Sequence, residues 1–348
     1  MAGLACAKAL VQRVADVTIY EAGAAGRGAL WASGGMLAGG FECAEANASQ
    51  AFTKLAQRGM ALWSDWATEL GTGNIGYRVG GVVSPASSDD ELDWLDTMAE
   101  NAQALGIACR RDIDLPDGLQ ARKAICFPED GELDNRLLGP RLVAFLREAG
   151  ATIHEHQSVV SLTSENGNVC VVTPSGHHYF DAVVIATGSD ACDLAGVEPA
   201  LKRLHPVKGQ MLSLEGAGSV LPFCVRAQNA YISQKQEGRF VIGATSEPGL
   251  SDVQVDSTAI NALRHRAECW LPALTTMRLG ESWAGLRPGT PDGQPMLGAG
   301  TLPGVFIALG LYRNGVLLAP AVGEMIADVV MSGINTPLEF ASSRFELR

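Results

Sequence analysis

Apolar and polar positions alternate with two different periods along this chain. An Ala/Leu-rich run at residues 2–10 predicts a helix, and the β-branched stretch 15–21 predicts a short strand. Residues 23–40 are mostly Gly, Ala and Ser; 18 residues of loop inside a compact unit is unusual and points to function. Helical spacing returns at 51–70 and at 88–105, where Ser-Ser-Asp-Asp supplies capping residues. Between them, 75–84 predicts strands joined by a turn. A helix at 135–148, ended by Gly150, precedes a strand at 151–156. A hairpin follows, with arms 158–164 and 169–173 and a turn at 165–168. The nearly unbroken apolar run 180–188 predicts a buried parallel strand. From 201 to 283 the alternation is of antiparallel type, with a hairpin at Glu237-Gly238 and a helix at 257–271. A strand at 305–309, a loop and a helix at 318–331 close the pattern.

Strand–helix units thus surround an antiparallel block inserted twice, which predicts a two-domain α/β plus α+β arrangement with domains discontinuous in sequence. The 348 residues suit two domains or one large one. With 47% hydrophobic and 18% charged residues the chain forms a core and is not disordered. Glycine is enriched, 40 residues or about 11% against roughly 7% on average. A net charge of −12 argues against nucleic acid as the main partner, though not against a local anion pocket. Unbroken apolar runs stay below about 18 residues, so no membrane span is expected. The eight cysteines are scattered without C-x-x-C, which predicts free thiols in a reducing cytosol. The opening Met1-Ala-Gly-Leu-Ala-Cys6 has a superficial lipoprotein look, but it lacks a charged leader region.

A dinucleotide-binding unit runs strand, G-x-G-x-x-G, helix, strand, acid. Gly3 stands where the third glycine opens the helix, and Glu21 ends the next strand 18 residues later. The preceding strand and first two glycines are missing from the sequence. Other candidates carry less. His154 and His156 alternate along a strand and would share a solvated face, without acid or cysteine partners at metal-ligand spacing. His177 and His178 read as an exposed hairpin tip, and Asp292-Gly293 as a turn.

Four stretches occur in order: Trp31-Ala-Ser-Gly-Gly-Met-Leu-Ala38, Pro206-Val-Lys-Gly-Gln-Met-Leu212, Trp283-Ala-Gly-Leu-Arg-Pro-Gly-Thr-Pro-Asp-Gly-Gln-Pro-Met-Leu-Gly298 and Tyr312-Arg-Asn-Gly-Val-Leu-Leu-Ala-Pro320. Together they resemble the FAD-dependent D-amino acid oxidase superfamily, and most of all the glycine oxidases of thiamine biosynthesis, over essentially the whole chain. The resemblance implies a Rossmann-like FAD-binding domain with a parallel central sheet, made from residues 1–76, 135–200 and 284–348. It also implies an α+β substrate domain on an antiparallel sheet, made from 77–134 and 201–283. Because the family begins with a strand and a full glycine fingerprint, a misassigned start codon or a fragment is expected.

The implied site has three substrate residues. Arg313 is the carboxylate anchor, since a guanidinium binds a carboxylate through two parallel hydrogen bonds; Arg287 is the second arginine and Tyr231 a further contact. Implied FAD contacts are Gly3, Glu21, Ala22, Ala29, Leu30, Gly34, Gly35, Met36, Val159, Leu311, Tyr312, Asn314, Gly315, Val316 and Leu317. Leu311 departs from the histidine usual there, and Ala29 and Leu30 replace hydroxyl-bearing residues. The helix after Gly315 would point its positive end at the flavin. No general base is implied, because the Cα hydrogen leaves a neutral amine as hydride. The implied activity is oxidation of glycine or another small amino acid to an imine, with O2 reduced to H2O2. The imine would serve thiazole synthase, in a cytoplasmic homo-oligomer. Two alternatives stay open: a secondary-amine oxidase or dehydrogenase of the sarcosine or D-proline type, and an inactive remnant unable to bind FAD.

Overall fold

A computed structural model describes residues 1–111, 113–165, 167–189, 194, 198–216 and 221–345. Eight helices are formed among them: α1 (Ala2–Val11), α2 (Ala29–Ala32), α3 (Gly39–Ala46), α4 (Gln50–Leu70), α5 (Asp89–Ala104), α6 (Asn135–Glu148), α7 (Ser257–Trp270) and α8 (Gly315–Ser332). The long amphipathic ones start at side-chain caps. Ser49 accepts a hydrogen bond from Phe52 N at the start of α4, Asp134 accepts one from Arg136 N at α6, and Ser88 and Glu91 form a reciprocal capping box at α5.

Two short parallel pairings build the α/β half. Thr18–Tyr20 lies beside Thr152–His154, and Val183–Ile185 lies beside Val305–Leu309, which also pairs with Met296–Ala299. These pairings belong to separate sheets. Helices α1, α4 and α8 pack together against them. Gly323 in α8 allows this closeness, because a Cβ there would collide with the Ala5 carbonyl of α1. Helix α8 begins three residues before its expected start. The stretch Tyr312–Ser332 is long and apolar enough, by length and composition, to cross a membrane. Glu324 and Asp328 interrupt the run, so no unbroken apolar stretch marks it in the sequence, and most of the helix is buried in the core.

The other half rests on an eight-stranded sheet. Across it run Arg278–Gly289, His205–Glu215, Arg239–Gly243, Ala230–Gln234, Cys224–Ala227, Val82–Ala86 and Lys123–Phe127, and Glu247–Pro248 also pairs with His205–Glu215. Leu212, Leu214, Ile232, Phe240 and Ile242 on one face meet Ile260, Leu263, Ala267 and Trp270 of α7. The Arg278–Gly289 strand runs through residue 284, where the sequence suggested a boundary between domains.

Several local expectations change. The expected loop at 23–40 contains α2, the strand Met36–Leu37 and the start of α3. The run at 180–188 is divided: Gly176–Phe180 stays antiparallel to Asn168–Thr173, and the parallel strand is only Val183–Ile185. The first arm of the preceding hairpin is Ser161–Glu165, and Asn166 of its turn lies outside the described residues. Residues 75–84 hold one strand residue stretch, from Val82, after a 3-10 turn at Thr72–Ile75. His156 adopts φ 56° beyond its strand and so does not share a strand face with His154, which stacks on Tyr20 at 5.1 Å. His177 and His178 lie inside a strand and not at a tip. Asp292-Gly293 is a turn, as expected, and Asp292 pairs with Arg344 at 2.8 Å. Seven of the cysteines are free; Cys192 lies outside the described residues.

A buried carboxylate ties the two halves together. The strand Gly131–Glu132 pairs with Met36–Leu37, and the Glu132 carboxylate accepts hydrogen bonds from Arg78, Ser233 and Lys235 Nζ, the last at 2.9 Å. Burial alone would raise its pKa, but Lys235 and Arg78 override that and hold it down at about 2. Glu132→Gln leaves two cations facing a neutral amide and should cost ~3–5 kcal/mol. Because the folded-state pKa lies below the ordinary 4.5, this stabilisation is complete above about pH 4.5 and fades as pH falls towards 2. Chemical denaturation of both proteins between pH 3 and 7 checks this. The wild type should lose its advantage over the variant at the acid end, and a pH-independent difference would contradict the assignment.

Candidate active site

Residues 29–36 run along one wall of a cavity of about 310 Å³, and the chain pins them from three directions. Asn135 Nδ2 donates to the carbonyls of Leu30 and Trp31 at 3.0 and 2.8 Å. Trp283 Nε1 donates to Ala32 O at 2.9 Å, and Leu133 N donates to Gly35 O at 2.8 Å. Gly35 has φ 68°, and a Cβ on it would strike the Leu133 carbonyl. Gly34 gives way to the Tyr231 ring in the same manner.

Part of the cavity's electrostatics is backbone. Helices α1 and α8 both begin at it, through Met1 and Ala2 and through Asn314 to Leu317. Neither N-terminus has a side-chain cap, and neither carries an acid in its first turn. Their first N–H groups are therefore left for an acceptor held in the cavity, where the helix dipoles favour negative charge. Two such ends with a glycine-bearing strip between them suit an extended anionic group that also has a flat polar ring.

The side-chain chemistry sits on the sheet. Tyr231 lies on Ala230–Gln234, in register with Arg226 on one neighbouring strand and Gly243 on the other. Its hydroxyl is 3.4 Å from Met211 Sδ, and burial pushes the phenol pKa up, so it remains a proton donor. Arg287 extends over Gly209 and donates to Thr245 O at 3.1 Å and more weakly to Lys208 O at 3.4 Å. Burial lowers its pKa, yet a guanidinium stays charged. Among the described residues no carboxylate pairs with it. Arg313 differs. Its Nε donates to Glu42 at 2.5 Å and its Nη2 to Glu45, and although burial opposes the charge these two acids raise its pKa.

The cavity therefore gathers Ala29, Leu30, Gly34, Gly35, Met36, Tyr231, Arg287, and Leu311 through Leu317. Four expected contacts stand elsewhere. Gly3 packs its backbone against Ala186, and its neighbours Met1 and Ala2 face the cavity instead. The Glu21 carboxylate accepts from Gly23 N at 2.8 Å, and Ala22 is exposed. Val159 packs beside Tyr20 in the core cluster around Leu162 and Val169. Three charged wall residues lie outside the expected set: Arg226, Glu42 and Glu45. The i, i+3 spacing of the two glutamates on α3 was a readable signal; Arg226 left none.

A family model for FAD-dependent oxidoreductases, the DAO family, matches residues 1–329. The chain belongs to this family. A glycine oxidase from Geobacillus kaustophilus is 32% identical over 341 residues, covering 94% of this chain and 90% of the relative. The crystal structure of glycine oxidase from that organism superposes with a TM-score of 0.91 at 30% identity, covering 99% of this chain and 96% of the other. A bifunctional ThiO/ThiG protein from Synechocystis is 32% identical over 303 residues, which are 81% of this chain but only 43% of that longer protein. As a DAO-family enzyme the protein uses FAD, and its cavity fits the group. The uncapped start of α1 would hold the diphosphate, and that of α8 would suit the flavin carbonyl edge.

Gly35→Ala should cost ~1–3 kcal/mol through its left-handed backbone and the Leu133 contact. It should also release flavin at lower temperature. Following flavin fluorescence against unfolding in a thermal ramp checks both, and an unchanged release temperature would contradict the rigid-strip account.

Proposed function

We propose that this enzyme oxidises glycine or a comparably small amine bearing a carboxylate, giving the imine. When bound, FAD would supply the hydride acceptor for the substrate Cα and the route by which two electrons reach O2 to give H2O2. Arg287 carries the reading, because it is a cavity-lining guanidinium to which no carboxylate is bound among the described residues. It presents a planar donor edge suited to two parallel hydrogen bonds with a carboxylate. The Tyr231 hydroxyl adds a third donor, and its raised pKa keeps the proton in place at neutral pH. Arg313, favoured as anchor by sequence, is already engaged by Glu42 and Glu45, so it serves the wall of the site and Arg287 takes the acid group.

With the carboxylate fixed on Arg287, the Cα–H is oriented, and a substrate that has lost its ammonium proton to solvent and binds as the neutral amine needs no side-chain base. The N-terminus of α8 supplies N–H groups for negative charge that builds up across the cavity. Leu311 is buried and apolar, so this position offers no side-chain proton donor.

Glycine as substrate is supported by the names of the relatives. The joining of ThiO to ThiG in Synechocystis supports a partner that consumes the imine, which the family resemblance gives as thiazole synthase. Arg287→Met should lower kcat/KM for carboxylated amines on the order of 10²–10³-fold while leaving the flavin spectrum in place. Steady-state peroxide release with glycine, sarcosine and D-alanine measures it. A change smaller than threefold would remove Arg287 from the substrate site.

A further inference from the structure

Counting side-chain charge around the cavity leaves a remainder. Three guanidiniums line it, those of Arg226, Arg287 and Arg313, and two carboxylates, Glu42 and Glu45. Both carboxylates bind Arg313. A single substrate carboxylate on Arg287 would still leave Arg226 without a counter-charge among the described residues.

Arg226 is held in place. It lies on Cys224–Ala227, paired in register with Tyr231, and its Nη1 donates to Ala227 O at 2.9 Å. Its guanidinium sits 4.8 Å from the centroid of Phe41, a ring with no exposure to solvent. Phe41 is itself fixed, because the buried Asp130 carboxylate accepts from Gly40 N at 2.7 Å and Phe41 N at 2.9 Å. Helix α3 thus carries the ring under one arginine and the two acids that occupy another. One nitrogen and one face of Arg226 are used by the protein, which leaves the remaining N–H groups for the cavity. Arg226 and Arg287 line the same cavity, and after burial the Arg226 charge is one of the influences that disfavour the charge of Arg287. An anion bridging them would relieve that repulsion.

We infer that Arg226 is a second carboxylate-binding residue, and that the preferred substrate is an amine carrying two carboxylates, one held by Arg287 and the other by Arg226. This rests on the cavity being the amine-oxidising site proposed above. The second carboxylate can come from a side chain, as in aspartate, or from a substituent on nitrogen, as in iminodiacetate. The charge count treats these alike, and the kinetics separate them.

The test uses the FAD-loaded enzyme and its Arg226→Gln and Arg226→Lys variants. In one arm kcat/KM is measured for glycine, D-alanine, D- and L-aspartate and iminodiacetate. In the other, succinate and propionate, which are not amines, are titrated by calorimetry. At least one two-carboxylate amine should exceed D-alanine by tenfold or more, and succinate should bind at least tenfold tighter than propionate. Both ratios should fall at least tenfold in Arg226→Gln and be partly kept in Arg226→Lys. If D-alanine is oxidised but succinate binds no tighter than propionate, the second site is refuted and the functional reading stands. If no amine is oxidised while the succinate preference depends on Arg226, the functional reading fails and the second site stands. Ratios that are unchanged in both variants overturn the inference.

Discussion

A buried carboxylate with three donors, Glu132, sets the geometry on which the site depends. Its backbone pairs with Met36, and its side chain draws together Arg78, Ser233 of the strand Ala230–Gln234, and Lys235 just after that strand. The next residue, Leu133, donates to Gly35, and Asn135 two residues on holds Leu30 and Trp31. One short segment, 132–135, therefore fixes the strip along the cavity relative to the sheet that carries Tyr231. A buried ion cluster of this kind adds less to net stability than its Coulomb energy suggests, because desolvation opposes it. Its value lies in register. A slip of either strand would strand a charge in the core.

With that frame fixed, two kinds of electrostatics share the cavity. Backbone dipoles at α1 and α8 offer N–H groups that no side chain caps. Three guanidiniums add full charges, and their partners distinguish them. Arg313 is neutralised by α3, Arg287 meets only carbonyls, and Arg226 meets one carbonyl and an aromatic face. The same residue type thus does three jobs according to what packs beside it, which no motif records.

That contrast shows how far the sequence could be read. Helices α4, α5 and α6 were legible because apolar positions repeat at helical spacing behind Ser49, Ser88 and Asp134 caps. The strand Val305–Leu309 was legible because it is apolar throughout and bounded by turns. The motifs around Arg287 and Arg313 pointed to the right wall. Helix α2 was hidden, because four residues of Ala, Leu and Trp become a turn of helix only when Asn135 and Trp283, distant in sequence, take up their carbonyls. The division of 180–188 was hidden too, since apolar residues of one hairpin arm and one parallel strand look alike in one dimension. The ranking of the arginines depended on Glu42 and Glu45, whose approach to Arg313 is tertiary.

The central claim is that a guanidinium orients an acid group over the flavin. Anaerobic mixing of the FAD-loaded enzyme with amines tests it in a single half-reaction. Glycine or another carboxylated amine should bleach the yellow flavin, while ethylamine, of similar size but without the acid, should leave it oxidised on the same timescale. Equal bleaching by ethylamine, or none by any carboxylated amine, would contradict the account.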